Sequence, residues 1–267
     1  MELSRYTGVG QFGPAYETML RRDAHAPGSM DRVLVERMVR LCQETADYLY
    51  AQHTPTELAY APGSRPALEA HVADAVGDSG CEDERITGIA RFCSRLGQRA
   101  PQDLDSMVLG GTEEEIIRRG SDWCTDVARV ACALYQVAAH PCRLVFLADT
   151  EQAYSGHAII EVHRRGVWGA VDSSTAVVYR RADGVSATTW ELMNDRDLVE
   201  SHGPAAYTSP GQFRAAAVSN YFVWESGAYD YTVSGANDYY RSILKMADKG
   251  WPGGLRWLHG EDEASGR

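Results

Sequence analysis

Apolar side chains recur at helical spacing along much of the first half of the chain. From Ser29 onward, Leu34, Met38, Leu41 and Leu49 follow one another at intervals that place them on one side of a helix. Other stretches repeat this pattern between Gly- or Pro-containing breaks. The spacing predicts helices over 29–52, 67–76, 83–97 and 112–120.

The pattern changes after residue 121. Residues 122–139 predict a helix with many small side chains, such as Ala128 and Ala131, which allow close packing on a sheet. Short apolar runs such as "CRLVFLA" then follow, as expected for buried strands. The predicted strands are 142–148, 156–163, 166–172 and 220–233, with further helices at 188–202 and 238–247.

These elements predict an α+β fold in three parts. An N-terminal helical extension, residues 1–80, packs on a core formed by residues 81–250. The core places the helix over 122–139 against an antiparallel sheet and ends in aromatic strands and a helix. Residues 251–267 form a tail. The length of 267 residues suits one large domain with attached helical parts.

The composition is that of an ordinary globular protein, with 44% apolar and 24% charged residues. A net charge of −11 disfavours non-specific binding to nucleic acid or to anionic membranes. No apolar run approaches the ~20 residues that cross a bilayer. The first residues lack the basic and apolar regions of an export signal. We therefore expect a cytoplasmic protein without nucleic-acid or membrane partners.

The cysteines and histidines are scattered along the chain. Six cysteines without C-x-x-C or zinc spacing favour reduced thiols, and the spread of the eight histidines argues against a metal site, so no cofactor is expected. Cysteines in helical segments are usually buried core residues, as we expect for Cys42, Cys93 and Cys132. Cys124 differs because it stands at the head of a predicted helix, behind Ser121–Asp122.

Two later residues suggest a chemical role for Cys124. The predicted strands over 156–163 and 166–172 are joined by "HRRG". If Arg164–Arg165 form the loop of a hairpin, His157 pairs directly with Asp172 on one face of the sheet. The alternate residues then form an apolar face.

This arrangement suits nucleophilic catalysis by a thiol. Asp172 would accept a hydrogen bond from one nitrogen of His157 and fix the tautomer, while the other nitrogen takes the proton of Cys124. The positive end of the helix dipole favours a thiolate, and free N–H groups there can bind an oxyanion. We therefore predict that Cys124, His157 and Asp172 are catalytic.

These motifs together resemble the transglutaminase-like superfamily, the circularly permuted relatives of papain-type enzymes. The resemblance covers about residues 83–175 and includes a Gly and a Cys opening a helix, an "A-L" stretch, Pro-x-Arg before a strand, "HA-x-x-E-V" and "W-x-x-x-D". In this sequence the matching residues are Gly120, Cys124, Ala133–Leu134, Pro141, Arg143, His157–Ala158, Glu161–Val162, Trp168 and Asp172.

The resemblance implies a transglutaminase-like core and acyl transfer through an enzyme thioester. The partner would be a small-molecule or carrier-protein-bound acyl substrate, joined to an amine as in bacterial natural-product biosynthesis. Two alternatives remain: a cysteine peptidase or amidase that hydrolyses an amide or thioester, and a non-catalytic scaffold with the same fold. Protein crosslinking fits less well, because accessory β-sandwich and calcium-site signatures are absent from the sequence.

Several neighbouring residues carry weaker predictions. Trp123 and Trp168 are candidate substrate-binding residues, although packing is an equal alternative for Trp123. Arg143 is expected to make a structural ion pair more often than a substrate contact. The aromatic residues of 221–231 are expected to pack on the sheet, with lining of an acyl pocket as the alternative.

Overall fold

The protein combines helices with one antiparallel sheet, so it has an α+β fold. A computed structural model describes residues 3–7, 38–52, 60–100, 108, 110–148, 156–203 and 210–220. In space the strands run in the order β1-β6-β2-β3-β4-β5. They are β1 (Val39–Leu41), β2 (Cys142–Ala148), β3 (Gly156–Arg164), β4 (Val167–Asp172), β5 (Val177–Val178) and β6 (Ala215–Asn220).

Helices cover both faces of this sheet. Short 3₁₀-helices span Leu3–Tyr6, Gly97–Arg99 and Pro210–Arg214, and a π-helix spans Tyr48–Gln52. The α-helices are α1 (Gln43–Asp47), α2 (Pro66–Val76), α3 (Glu82–Ser94), α4 (Glu113–Arg119), α5 (Cys124–Val137), α6 (Thr189–Asn194) and α7 (Arg196–Glu200). Within the described residues, no helix is both long and apolar enough to span a membrane.

Helix α5 forms the centre of one core. Its small side chains, including Ala128 and Ala131, are buried together with Ala158 and Ile160 of β3. Helices α2 and α3 contribute Leu68 and other apolar residues to the same core. Burial of these apolar surfaces stabilises the fold and holds α5 against the sheet.

The opposite face of the sheet has its own core. Val145, Leu147 and Ile159 project there and are buried with Tyr179 and Phe213. Strand β2 lies between the two cores, and all seven of its residues are buried. This double burial explains why β2 reads as a continuous apolar run rather than an alternating one.

The helix predictions at 67–76, 83–97 and 112–120 are confirmed within a few residues by α2, α3 and α4, as 122–139 is by α5. Strands β2, β3 and β4 confirm the first three predicted strands. The helix predicted over 188–202 is instead two helices. Asp195 separates them because its backbone is extended and its side chain accepts a hydrogen bond from Leu198 N at 3.0 Å.

The helix predicted over 29–52 is wrong at Val39–Leu41, which is strand β1. Met38 packs in the core on the α5 side, whereas Leu41 packs in the opposite core. Residues three apart in an extended chain point to opposite faces of the sheet, which explains this division. The same spacing of three residues also occurs on one face of a helix, so it suggested a helix here. The segment assigned to a helical extension therefore adds an edge strand to the sheet. Residues 29–37 lie outside the described residues.

Strand β6 was not predicted. It pairs with the edge strand β1 on one side and with β2 on the other, but its sequence begins with three alanines, which have low β propensity. Except for Asn220, the strand predicted over 220–233 lies outside the described residues, as do the helix over 238–247 and the tail over 251–267.

Candidate active site

Cys124 is the first residue of α5 and is partly buried. Trp123 precedes it in an extended conformation, with φ −73° and ψ 118°, and caps the helix without a side-chain hydrogen bond. The first N–H groups of a helix have no partner within that helix. The Cys124 thiol therefore lies at the positive end of the helix dipole.

Gly120 fixes the path of the chain into this helix. It has φ +82° and ends α4. A Cβ at this position would lie 2.6 Å from the backbone carbonyl carbon of Arg99, so only glycine fits. The next residue, Ser121, donates its N–H to Leu96 O at 3.2 Å. These two contacts tie the turn before Cys124 to the end of α3.

The carboxylate of Asp126 lies under the same turn and is 2% exposed. Its oxygens accept hydrogen bonds from Ser121 Oγ at 3.0 Å, from Arg119 Nη2 at 3.1 Å and from Gly110 N at 3.1 Å. Arg129 Nη1 lies 3.9 Å away. Asp126 thus joins the loop before α4, the end of α4 and the start of α5.

His157 and Asp172 lie together at one end of the sheet. The His157 Nε2 atom is 3.1 Å from Asp172 Oδ2, and both residues are buried. The other carboxylate oxygen of Asp172 accepts the N–H of Ser174 at 2.9 Å, which fixes the orientation of the carboxylate. An ionised carboxylate only accepts hydrogen bonds, so Nε2 carries the proton in this contact.

The imidazole also contacts the thiol. The Cys124 side chain forms a hydrogen bond with His157, and Nδ1 is the ring nitrogen that Asp172 leaves available. Burial lowers the pKa of His157, but its hydrogen bonds with Asp172 and Cys124 and its electrostatic interactions with both residues raise it to about 10. These contacts therefore favour the protonated form of the His157 ring.

The hairpin that carries His157 and Asp172 differs from the predicted one. Its turn is Arg165–Gly166, and His163 pairs with Trp168. Continuing this register places Asp172 opposite Ile159, so His157 and Asp172 are diagonal neighbours rather than a direct pair. The shift is two residues, which preserves the face of each side chain, and diagonal neighbours remain within reach of each other.

The two tryptophans occupy different environments. Trp123 is partly exposed beside Cys124 and donates its backbone N–H to Ser121 Oγ at 3.2 Å. Trp168 is 1% exposed and lies four residues before Asp172, about 13 Å along β4. This placement favours a packing role for Trp168 over the substrate-binding role predicted for it, whereas the prediction for Trp123 stays open.

Arg143 and Glu161 form a second buried charge network on the face away from α5. Both residues are fully buried, and Arg143 Nη2 lies 2.6 Å from Glu161 Oε2. Glu161 also accepts hydrogen bonds from Tyr50 and from Thr189 N, each at 2.8 Å. The Arg143 guanidinium stacks 4.0 Å from the centre of the Trp168 ring. Arg143 therefore makes the structural ion pair that was expected.

All six cysteines lie within the described residues, and all are free thiols. Cys93 and Cys132 are buried as expected, whereas Cys42 is only partly buried. No group of three or more His, Cys, Asp or Glu side chains in the described ranges could hold a metal ion.

Sequence reasoning missed Asp126, Arg119 and Gly110. An acidic residue in the first turn of a helix is usually explained by a favourable contact with the helix dipole. The sequence therefore provided no reason to expect the hydrogen bonds of Asp126. The positive φ of Gly110, +80°, depends on a loop whose partners are remote in sequence. The spacing of Ser121 and Asp126 does not predict their hydrogen bond, because that contact depends on the turn at Gly120.

Comparisons with protein-family models, with curated proteins and with solved structures yield no match to this chain. Its fold and site define an α+β protein in which a buried histidine contacts both a cysteine and an aspartate.

Proposed function

We propose that this protein is a cysteine-dependent acyl-transfer enzyme with a transglutaminase-like core. One observation carries the proposal: the buried ring of His157 contacts both the Cys124 thiol and the Asp172 carboxylate. A nucleophile, a base and a group that orients the base are the minimum set for covalent catalysis by a thiol. The helix start that carries Cys124 adds a dipole and backbone N–H groups.

The first half of the proposed reaction forms the enzyme thioester. The Cys124 thiolate attacks the carbonyl carbon of an amide or thioester, and the backbone N–H of Cys124, at the start of α5, is the proposed donor to the resulting oxyanion. The bond from that carbon to the leaving nitrogen or sulfur then breaks. His157 gives its Nδ1 proton to the leaving group, while Asp172 holds the ring in place.

The second half transfers the acyl group to an amine. The neutral His157 takes a proton from the amine as its nitrogen attacks the thioester carbonyl, and the bond to Cys124 Sγ breaks to restore the thiolate. The product is an amide of a small-molecule or carrier-bound acyl group. The sequence resemblance supports an amine acceptor. Water in its place would make the protein a peptidase or amidase.

Intact-mass spectrometry with simple acyl thioesters tests the covalent step. We expect one acyl adduct per chain, located on Cys124 by peptide mapping, and none in Cys124→Ala. In His157→Ala we expect adduct formation to slow by about 10²–10⁴-fold, the usual contribution of a positioned base. Cys81 is exposed and serves as the internal control for non-specific acylation. Labelling of Cys81 or Cys132 without Cys124 would contradict the proposal.

A second measurement separates amide formation from hydrolysis. The acylated enzyme is mixed with primary amines at neutral pH, and the amide and the free acid are quantified together. A dominant amide product supports acyl transfer to amines. Free acid at every amine concentration would make the protein a hydrolase, and a chain that forms no adduct would be a scaffold.

A further inference from the structure

The Asp126 carboxylate is connected to the nucleophile by a short chain of hydrogen bonds. The Ser121 hydroxyl lies 3.0 Å from Asp126 Oδ2 and 3.2 Å from Trp123 N. A serine hydroxyl has one hydrogen, and the carboxylate can only accept it, so the serine lone pair faces the Trp123 N–H. The chain therefore runs from Asp126 through Ser121 to the residue before Cys124.

We propose that Asp126 is a positioning residue that aims the Cys124 thiol and N–H at the substrate by holding Ser121 against the Trp123 backbone. The inference rests on the proposed function. The peptide between Trp123 and Cys124 carries the N–H assigned to the oxyanion. The hydrogen bond from Trp123 N–H to Ser121 holds the chain before this peptide, and helix α5 holds the chain after it. Together they fix the plane of the peptide.

The charges around Asp126 fit this role. A carboxylate two residues after Cys124 would by itself oppose a thiolate, but Arg119 contacts it at 3.1 Å and Arg129 lies 3.9 Å away. The two cations offset the negative charge while the carboxylate keeps its hydrogen bonds. A buried ion pair is weak evidence for stability alone, because apolar residues often replace such pairs without loss. The hydrogen bond from Ser121 to Asp126 gives this carboxylate a second role, which is to hold the backbone next to Cys124.

Alkylation of Cys124 by iodoacetamide tests the inference without any acyl substrate. The rate is measured by mass spectrometry relative to exposed Cys81 in the same molecule. We expect Asp126→Asn and Ser121→Ala each to lower this ratio by roughly tenfold or more, since small displacements of reacting groups have large effects on rate. The double variant should match Asp126→Asn, because both changes break one chain of contacts.

Glu113→Gln is the matched control. Glu113 is fully buried and binds Arg129 at 3.3 Å, but it belongs to α4 and does not contact Ser121. We expect this variant to lose stability and to keep the wild-type alkylation ratio. A second readout is the NMR titration of the His157 ring. In Asp126→Asn its pKa should fall below about 10, since the contact with Cys124 helps to raise it.

A wild-type alkylation ratio in folded Asp126→Asn, or additive losses in the double variant, would overturn the inference. If Asp126→Asn does not fold, Ser121→Ala alone decides, and an unchanged ratio then overturns it. Failure of the proposed function would give a different result. Wild-type protein would then form no acyl adduct, but the alkylation ratio would still fall in Asp126→Asn and in Ser121→Ala.

Discussion

Two buried charge networks lie on opposite sides of the sheet, and they contact different parts of the protein. The network on the α5 side, with Asp126, Arg119 and Arg129, reaches the backbone beside Cys124 through Ser121. The network on the far side joins Arg143 to Glu161 and reaches Leu49 O, Tyr50 and the start of α6. In each network a buried carboxylate is paired with arginine by hydrogen bonds.

This difference shows that burial of charge does not by itself indicate a functional site. The Arg143 network connects segments far apart in sequence: the π-helix, strands β2 and β3, and helix α6. It thereby holds the far layer on the sheet. The Asp126 network is more local, because its members lie between Gly110 and Arg129 and surround the entry to α5. One network secures the fold, and the other secures the geometry of one turn.

Breaking the far network should produce the largest loss of stability. Arg143→Met leaves the Glu161 carboxylate fully buried without its cation, which typically costs about 3–5 kcal/mol. Urea unfolding measures this loss. The alkylation ratio of Cys124 to Cys81 in the folded fraction should stay at the wild-type value.

The double variant Arg143→Met with Glu161→Gln is the control for the far network. Because it removes both charges, we expect it to recover part of the lost free energy of unfolding. A large fall in Cys124 alkylation in either variant would show that both networks serve the site and would remove the distinction between them.

Gly120→Ala should combine a smaller loss of stability with damage to the site. The positive φ and the approach of a Cβ to the Arg99 backbone together cost about 2–4 kcal/mol. The displaced turn also carries Ser121, so Cys124 alkylation should fall. Gly166→Ala is the matched control, because its φ is +83° and nothing lies within 4 Å of a Cβ there. A wild-type alkylation ratio in Gly120→Ala would contradict this role.

The contrast between the networks also explains what the sequence could predict. Helix α5 and strands β2 to β4 follow from local periodicity, and the order of Cys124, His157 and Asp172 suggested their meeting. Strands β1 and β6 could not be predicted from the sequence, because each pairs with residues that are remote in the chain. The three alanines that begin β6 also have low β propensity. The hairpin register was wrong because two successive arginines and a glycine allow more than one turn.

The partners of individual side chains were the least predictable feature. Arg143 and Glu161 are 18 residues apart and lie opposite each other on β2 and β3, so their pairing requires the register of both strands. Asp126 contacts Gly110, 16 residues earlier, through a loop without periodicity. Sequence patterns report which face of an element is apolar, whereas these contacts depend on how separate elements dock.

The pH dependence of stability tests the His157 contacts directly. The pKa of His157 rises from its ordinary value of 6.5 to about 10 in the folded protein. Its contribution to stability is therefore complete below pH 6.5 and is lost as the pH rises through about 10. We expect the free energy of unfolding to fall over this interval in wild type and to be flatter in His157→Gln.

Cys124→Ala removes one of the contacts that raise the pKa of His157, so its profile should lie between those of wild type and His157→Gln. Equilibrium unfolding at a series of pH values measures all three profiles. Identical profiles for wild type and His157→Gln would mean that the imidazolium is not stabilised as the geometry indicates.

The two tryptophans give the smallest and most selective test. Trp168→Phe should cost about 1–2 kcal/mol from lost packing on Arg143, with no hydrogen bond lost, because Trp168 Nε1 has no partner among the described residues. It should leave the rate of acyl-adduct formation unchanged. Trp123→Leu should alter little stability, since the side chain is partly exposed.

If Trp123 borders the bound acyl group, Trp123→Leu should change the ratio of adduct rates for long and short acyl thioesters by several-fold, because contact with an apolar wall scales with buried area. Mass spectrometry of the two adducts formed in competition measures that ratio within one sample. An unchanged ratio for Trp123→Leu, with a changed one for Trp168→Phe, would reverse the assignment and place the substrate beside Trp168. Because Trp168 is enclosed by the Arg143 network, such a result would also require that network to open during the reaction.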